Sequence, residues 1–146
     1  LPKQVRRSVL EIITRELRTP KGLRSLSPKS EGYQPQCHGT QLQRERAYYN
    51  GSVWPWLLGP YFEACLKLYG RSAISFIEQT LIGMEQELQE HGIGTISELF
   101  DGNPPFKGRG AISFAMSVGE ILRSLHLLQQ AQSKYDTEPQ PLIRYE

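Results

Sequence analysis

Apolar residues recur at helical spacing in four stretches of the chain. The stretches cover residues 2–17, 53–69, 72–91 and 114–132, and the second is aromatic at its start and aliphatic at its end. Spacing of three and four residues places apolar side chains on one face of a helix, where they can pack against a neighbour. No stretch alternates apolar and polar residues over a strand's length. The pattern therefore predicts an all-α chain of about four helices, arranged as antiparallel hairpins with long loops.

Long polar connections separate these predicted helices. Residues 20–46 are rich in Gly, Pro, Ser and Gln, and residues 92–110 begin and end with glycine. Connections of this length in compact domains are usually functional loops or disordered linkers. Beyond the fourth helix, residues 133–146 are polar and contain two prolines, so we expect an extended or poorly ordered tail. The predicted organisation is one domain over residues 1–132, followed by that tail.

Charge and composition narrow the class of function. Lysine and arginine number 17 against 15 aspartate and glutamate, so the chain lacks the strong positive field that holds a nucleic-acid backbone. No apolar run approaches the roughly 20 residues that cross a bilayer, and no signal-peptide pattern opens the chain. Cys37 and Cys65 fit neither a metal-ligand spacing nor a disulfide framework. We expect a cytoplasmic protein with no metal, cofactor, nucleic-acid or membrane partner.

Residues 48–56 combine two tyrosines and both tryptophans of the chain. Aromatic faces with polar edges suit a sugar-binding groove, because a pyranose ring offers apolar C–H faces and a rim of hydroxyls. Aromatic residues at the start of a helix also commonly fill a core. The residues alone leave both interpretations open.

Glu98 presents a similar choice. Thr95 and Glu98 have the spacing of a capping box, in which the two side chains satisfy amides at a helix start. The following residues, Leu-Phe-Asp-Gly-Asn-Pro-Pro, cannot sustain a helix beyond about one turn. A carboxylate on a short loop, with Asp101 three residues further on, also suits acid–base chemistry.

Four motifs, in order, resemble successive motifs of the amylo-alpha-1,6-glucosidase, or glycogen-debranching, family. The resemblance covers roughly residues 5–130, and its most specific part is the tryptophan motif. The motifs are residues 23–28 (LRSLSP), 44–60 (RERAYYNGSVWPWLLGP), 94–102 (GTISELFDG) and 117–123 (SVGEILR).

The resemblance implies a fold, a reaction and a set of site residues. The fold would be part of an (α/α)6 toroid, and the reaction an inverting hydrolysis of α-1,6-linked glucose in glycogen or a related α-glucan. Inversion uses an acid for the leaving oxygen and a carboxylate that activates water. By resemblance, Glu98 is that general base. The implied substrate-binding residues are Arg44, Tyr48, Tyr49, Asn50, Trp54, Trp56 and Asp101.

The resemblance is incomplete in two respects. A toroid of six hairpins has more helices than the four predicted, and the family's general acid lies upstream of the tryptophan motif, at a place that no residue here occupies. In addition, Tyr49 stands where the family commonly has histidine, and Glu45 where it has aspartate. We therefore expect an incomplete chain, inactive by itself, whose exposed helical flanks favour self-association. The alternative function is a non-catalytic carbohydrate-binding or helical assembly module that lost the acid.

Overall fold

Helices make up most of the fold in this computed structural model, in which residues 1–137 are described. Five α-helices occur in this part of the chain: α1 (Lys3–Glu16), α2 (Gln41–Tyr49), α3 (Leu58–Tyr69), α4 (Ile74–Glu85) and α5 (Ala115–Thr137). Short 3-10 helices cover Pro55–Leu57, Gly70–Ala73 and Gln86–Gln89. Five strands accompany them: β1 (Arg18–Thr19), β2 (Gly22–Arg24), β3 (Val53–Trp54), β4 (Leu99–Phe100) and β5 (Gly108–Arg109).

The five strands form one antiparallel sheet in the order β1-β2-β3-β4-β5. Leu23 pairs with Trp54, and Val53 pairs with Phe100. The prediction of an all-α chain, and of part of an (α/α)6 toroid, is therefore wrong: the described residues form a mixed fold of helices and a sheet. The sequence pattern missed the strands because each is two or three residues long, too short to display apolar and polar alternation.

The main core lies between the helices. α3 packs against both α1 and α5, and α4 packs against α5. Leu58 and Phe62 of α3 are completely buried, as is Ile77 of α4, while Leu81 and Met84 are nearly so. These side chains belong to one cluster with Leu23 of the sheet. This core therefore joins α1, α3, α4 and α5 to β2, while a smaller cluster of Cys37, Ala47 and Leu99 joins α2 to β4.

Three of the predicted helices have different boundaries in the structure. The third predicted helix, over residues 72–91, is an α-helix only over Ile74–Glu85, with a 3-10 helix over Gln86–Gln89 after it. The predicted helix over residues 53–69 begins only at Leu58, after β3 and a 3-10 helix. Gly59 and Pro60 fall in its first turn, where backbone amides lack helical partners and proline is tolerated. At the other end, α5 continues to Thr137, beyond the predicted end near residue 132. Residues 138–146 of the predicted tail lie outside the described part.

Among residues 1–137, no helix has the length and apolar character that crossing a membrane requires.

Candidate active site

Glu98 lies directly before β4, at the open end of the β4–β5 hairpin. Its amide donates a hydrogen bond to the carbonyl of Ala111 (2.9 Å), and the Ala111 amide donates to Glu98 Oε2 (2.8 Å). No helix begins at this point, so the Thr95–Glu98 pattern does not form a capping box. The hairpin instead binds Glu98 through both its backbone and its side chain.

Tyr48 supplies the second hydrogen bond to the Glu98 carboxylate. Its hydroxyl donates to Glu98 Oε1 at 2.6 Å, across fifty residues of sequence. Burial, followed by this hydrogen bond and the negative charge of Glu98, raises the pKa of Tyr48 to about 12. Tyr48 therefore stays protonated, and able to donate, throughout the neutral range.

The helix that carries Tyr48 was not predicted from the sequence. Most of α2 falls in residues 20–46, which were assigned to a polar connection, and only Ala47 in it is buried. Its start is a true capping box: the Thr40 side chain accepts from the Gln43 amide, and the Gln43 side chain accepts from the Thr40 amide. The Thr-x-x-Gln spacing was the sequence signal that could have located this helix.

A cavity of about 390 Å³ lies beside Tyr48 and the Glu98-binding hairpin. This volume is in the range of small-ligand sites, roughly 300–1,000 Å³. Its lining includes three of the predicted site residues and several that the sequence pattern did not single out. The predicted ones are Arg44, Tyr48 and Tyr49, and the additional ones are Cys37, Gln41, Glu45, Leu99 and Gly110.

One face of α2 forms the polar side of this cavity. Gln41, Glu45 and Tyr48 follow one another at four- and three-residue spacing, so their side chains share that face. The Gln41 side chain donates to Glu45 Oε1 at 2.8 Å. Had α2 been recognised from the sequence, this spacing would have predicted that Gln41 and Glu45 lie on the same helix face as Tyr48. Tyr49 lies at the cavity with 71% of its surface exposed.

Gly110 leaves the room that the Glu98 carboxylate occupies. Its φ angle is +69°, in the left-handed region that favours glycine. A Cβ atom at this position would meet Glu98 Oε2. Gly110 was recognised from the sequence only as the end of a glycine-bounded loop, because the contact depends on how the hairpin folds.

Comparison with protein families gives a match to amylo-alpha-1,6-glucosidase over residues 1–123. The chain belongs to this family. The match confirms the resemblance drawn from the four motifs, and it relates the chain to the glycosidases of glycogen debranching. The search of curated proteins found no match.

The two tryptophans of this amylo-alpha-1,6-glucosidase family member occupy different surroundings. The Trp54 ring contacts the Tyr48 ring edge-on, with centroids 4.6 Å apart, and packs against the small cluster of Cys37, Ala47 and Leu99. Trp56 is half-buried in the 3-10 helix that packs on α5. Within residues 1–137, neither tryptophan is part of the cavity lining.

Asn50 and Asp101 make hydrogen bonds that hold the surrounding backbone. The Asn50 side chain donates to the carbonyl of Arg46 (2.7 Å), at the end of α2. Asp101 is buried, and both of its carboxylate oxygens share the hydrogen of Arg109 Nε. The carboxylate also accepts a hydrogen bond from Arg109 Nη2 and one from the Cys37 amide. The structure thus places these two predicted substrate-binding residues beside the site rather than on the cavity wall.

No group of three or more His, Cys, Asp or Glu side chains in the described range is arranged to hold an ion. Cys37 and Cys65 are both buried free thiols, and burial raises the pKa of each. Among residues 1–137, the cavity lining does not include Glu98; it includes the hydrogen-bond partner Tyr48 and the adjacent Leu99.

Proposed function

We propose that this chain carries the general base of an inverting α-1,6-glucosidase that acts on glycogen or a related α-glucan, and that Glu98 is this base. Membership of the amylo-alpha-1,6-glucosidase family supports the reaction class. The observation that carries the residue assignment is the half-buried Glu98 carboxylate, bound by Tyr48 and Ala111 beside a cavity of sugar size.

The hydrogen bonding of Glu98 is compatible with the activation of water. A carboxylate has about four lone-pair sites. Tyr48 occupies one on Oε1 and the Ala111 amide occupies one on Oε2. The remaining sites can accept a hydrogen bond from water. Glu98 would take a proton from that water molecule while the water oxygen attacks the anomeric carbon.

Inversion also requires a carboxylic acid on the other side of the sugar, which protonates the departing glycosidic oxygen. The two carboxyl groups of inverting enzymes stand roughly 6.5–9.5 Å apart, which leaves room for the water. We assign this acid to no residue in 1–137. Because the reaction requires the acid, activity is to be tested in the full-length natural protein that contains this sequence.

The cavity wall offers groups suited to a glucose ring. Tyr49 has an exposed aromatic ring on which an apolar sugar face can stack. Gln41, Arg44 and Glu45 offer donors and acceptors for hydroxyl groups. We propose that these residues bind the glucose unit whose bond is cleaved.

The deciding experiment replaces Glu98 by glutamine in the natural protein and measures glucose release from a branched dextrin. We expect kcat to fall by roughly 10²–10⁴-fold, since glutamine cannot accept the proton from water. Glu90→Gln, at an exposed position, is the matched control and should keep its rate. NMR of the first product should show β-glucose, the inverted anomer.

Three results would contradict the proposal in different ways. An unchanged rate in Glu98→Gln would contradict the assignment of Glu98 as base. Release of α-glucose as the first product would contradict an inverting mechanism. Tryptophan fluorescence titrated with maltooligosaccharides tests binding separately. Sugar binding without turnover in the unmutated natural protein would favour the non-catalytic carbohydrate-binding module.

A further inference from the structure

The hydroxyl of Tyr48 is directed to Glu98 and its ring is held by other aromatic residues. We propose that Tyr48 is a positioning residue, which acts on the reaction by holding the Glu98 carboxylate rather than by forming a wall for the sugar. This inference rests on the proposed role of Glu98 as base. It departs from the sequence prediction, which placed Tyr48 among the sugar-contacting residues.

Two other segments of the chain meet at the Glu98 carboxylate, α2 and residues 110–111. Tyr48 of α2 holds Oε1, the Ala111 amide holds Oε2, and Gly110 presents no side chain to the carboxylate. A glutamate side chain has three rotatable bonds, so one hydrogen bond would leave its terminal group free to turn. Two bonds from separate segments select one orientation, as a base aimed at a water molecule requires.

The Tyr48 ring is itself held in place. Trp54 contacts it nearly perpendicularly, with centroids 4.6 Å apart, and Tyr49 does so at 4.9 Å. The backbone of α2 is fixed nearby, since the carbonyl of the fully buried Ala47 accepts hydrogen bonds from both the amide and the hydroxyl of Ser52. The ring therefore presents its hydroxyl from a fixed position.

These ring contacts separate the roles of the two adjacent tyrosines. The ring of Tyr48 is engaged by two neighbours and its hydroxyl by Glu98. Tyr49 is 71% exposed, so its ring is available for stacking on a sugar. Loss of the Tyr48 hydroxyl should consequently affect the chemical step, whereas loss of the Tyr49 hydroxyl should not.

The test compares Tyr48→Phe with the matched control Tyr69→Phe in the full-length natural protein. Tyr69 is an exposed tyrosine at the end of α3 and does not line the cavity beside Tyr48. For Tyr48→Phe we expect kcat to fall by roughly ten- to a hundredfold, with KM changed by less than about threefold, because the lost contact acts on chemistry. Tyr69→Phe should leave both kcat and KM unchanged.

A double variant shows whether Tyr48 acts through Glu98. When Glu98→Gln is already present, adding Tyr48→Phe should lower kcat no further, since the group being positioned is gone. Additive losses would mean that Tyr48 acts by another route. Replacement of Tyr48 by 3-fluorotyrosine keeps the ring shape but strengthens the donor. It should change kcat with little change in KM, and it provides the measurement should Tyr48→Phe unfold.

Failure of this inference is distinguishable from failure of the proposed function. An unchanged rate in Glu98→Gln would remove the function itself. Loss of rate in Glu98→Gln, combined with an unchanged or increased kcat in Tyr48→Phe, would overturn only the positioning role. A raised KM with normal kcat in Tyr48→Phe would indicate that Tyr48 contacts the sugar instead.

Discussion

The residues around Glu98 show how a carboxylate can be aimed by groups that perform no chemistry themselves. The Ala111 amide holds one carboxylate oxygen, and the neighbouring Gly110 makes space for that same oxygen. Gly110 combines two requirements, a φ angle of +69° and the absence of a Cβ atom. Alanine could adopt this φ angle only with strain, and its Cβ atom would occupy the space of the Glu98 carboxylate.

Gly110→Ala should lower glucose release by the natural protein roughly 10²-fold, because displacement of a catalytic group by about 1 Å can have that effect. The new Cβ would meet Glu98 Oε2 and push the carboxylate from its place. Gly94→Ala is the matched control. Gly94 has a φ angle of +74°, and a Cβ there has no neighbouring atom within 4 Å.

The two glycine variants separate strain from displacement. Both should lose a similar amount of stability, on the order of 1 kcal/mol, from a left-handed alanine. Only Gly110→Ala should lose activity beyond that. Equal activity losses in the two variants would mean that backbone strain, rather than contact with Glu98, explains the effect.

At the scale of elements, the β4–β5 hairpin is fastened to the long connection that precedes α2. The Cys37 amide donates to Asp101 Oδ1 (3.0 Å), and the Gly102 amide donates to the carbonyl of Pro35 (2.5 Å). Tyr33 donates to the Asn103 side chain (3.0 Å). The connection therefore docks on the hairpin, and the Asp101–Arg109 ion pair braces the hairpin from within.

Asp101→Asn should lower the free energy of unfolding by roughly 2–3 kcal/mol, measured by urea denaturation, because it leaves the partly buried Arg109 without its charged partner. The exposed Asp136→Asn makes the same charge change on α5 and should alter stability by less than about 0.5 kcal/mol. Normal stability with a raised KM in Asp101→Asn would instead support the substrate-binding role that the family resemblance implies.

For the whole molecule, the distribution of apolar surface is uneven. Leu122 and Leu125 of α5 are exposed, and with Leu88 they line an apolar cavity of about 270 Å³ between α4 and α5. Val5, Val9 and Ile12 of α1 are also exposed. The apolar surface around Leu88, Leu122 and Leu125 favours association with other protein surfaces.

We predict that the 146-residue chain self-associates as its concentration rises, measured by sedimentation velocity. Leu122→Gln should weaken this association, because it puts a polar amide at the edge of the apolar cavity. Leu42→Gln is the matched control: Leu42 of α2 is 57% exposed and Leu122 is 61% exposed. A monomer at all concentrations would contradict the prediction.

Local sequence patterns determined the family and most of the helices. The ranges of α1, α3, α4 and α5 overlap the four periodic stretches, because apolar spacing within a helix involves only near neighbours in the chain. The order of the four motifs likewise indicates the family, since each motif is a short run of consecutive residues. Glu98 was singled out in the same way, although its role as base remains a prediction.

Tertiary structure decided the sheet and the surroundings of Glu98. Strands of two or three residues leave no periodic pattern, and the β2–β3 and β3–β4 pairs join residues that lie far apart along the chain. Tyr48 and Glu98 are fifty residues apart, so only the packing of α2 on the hairpin could bring them within 2.6 Å. Contacts of that kind depend on the free energy of the complete fold, which spacing along a sequence does not encode.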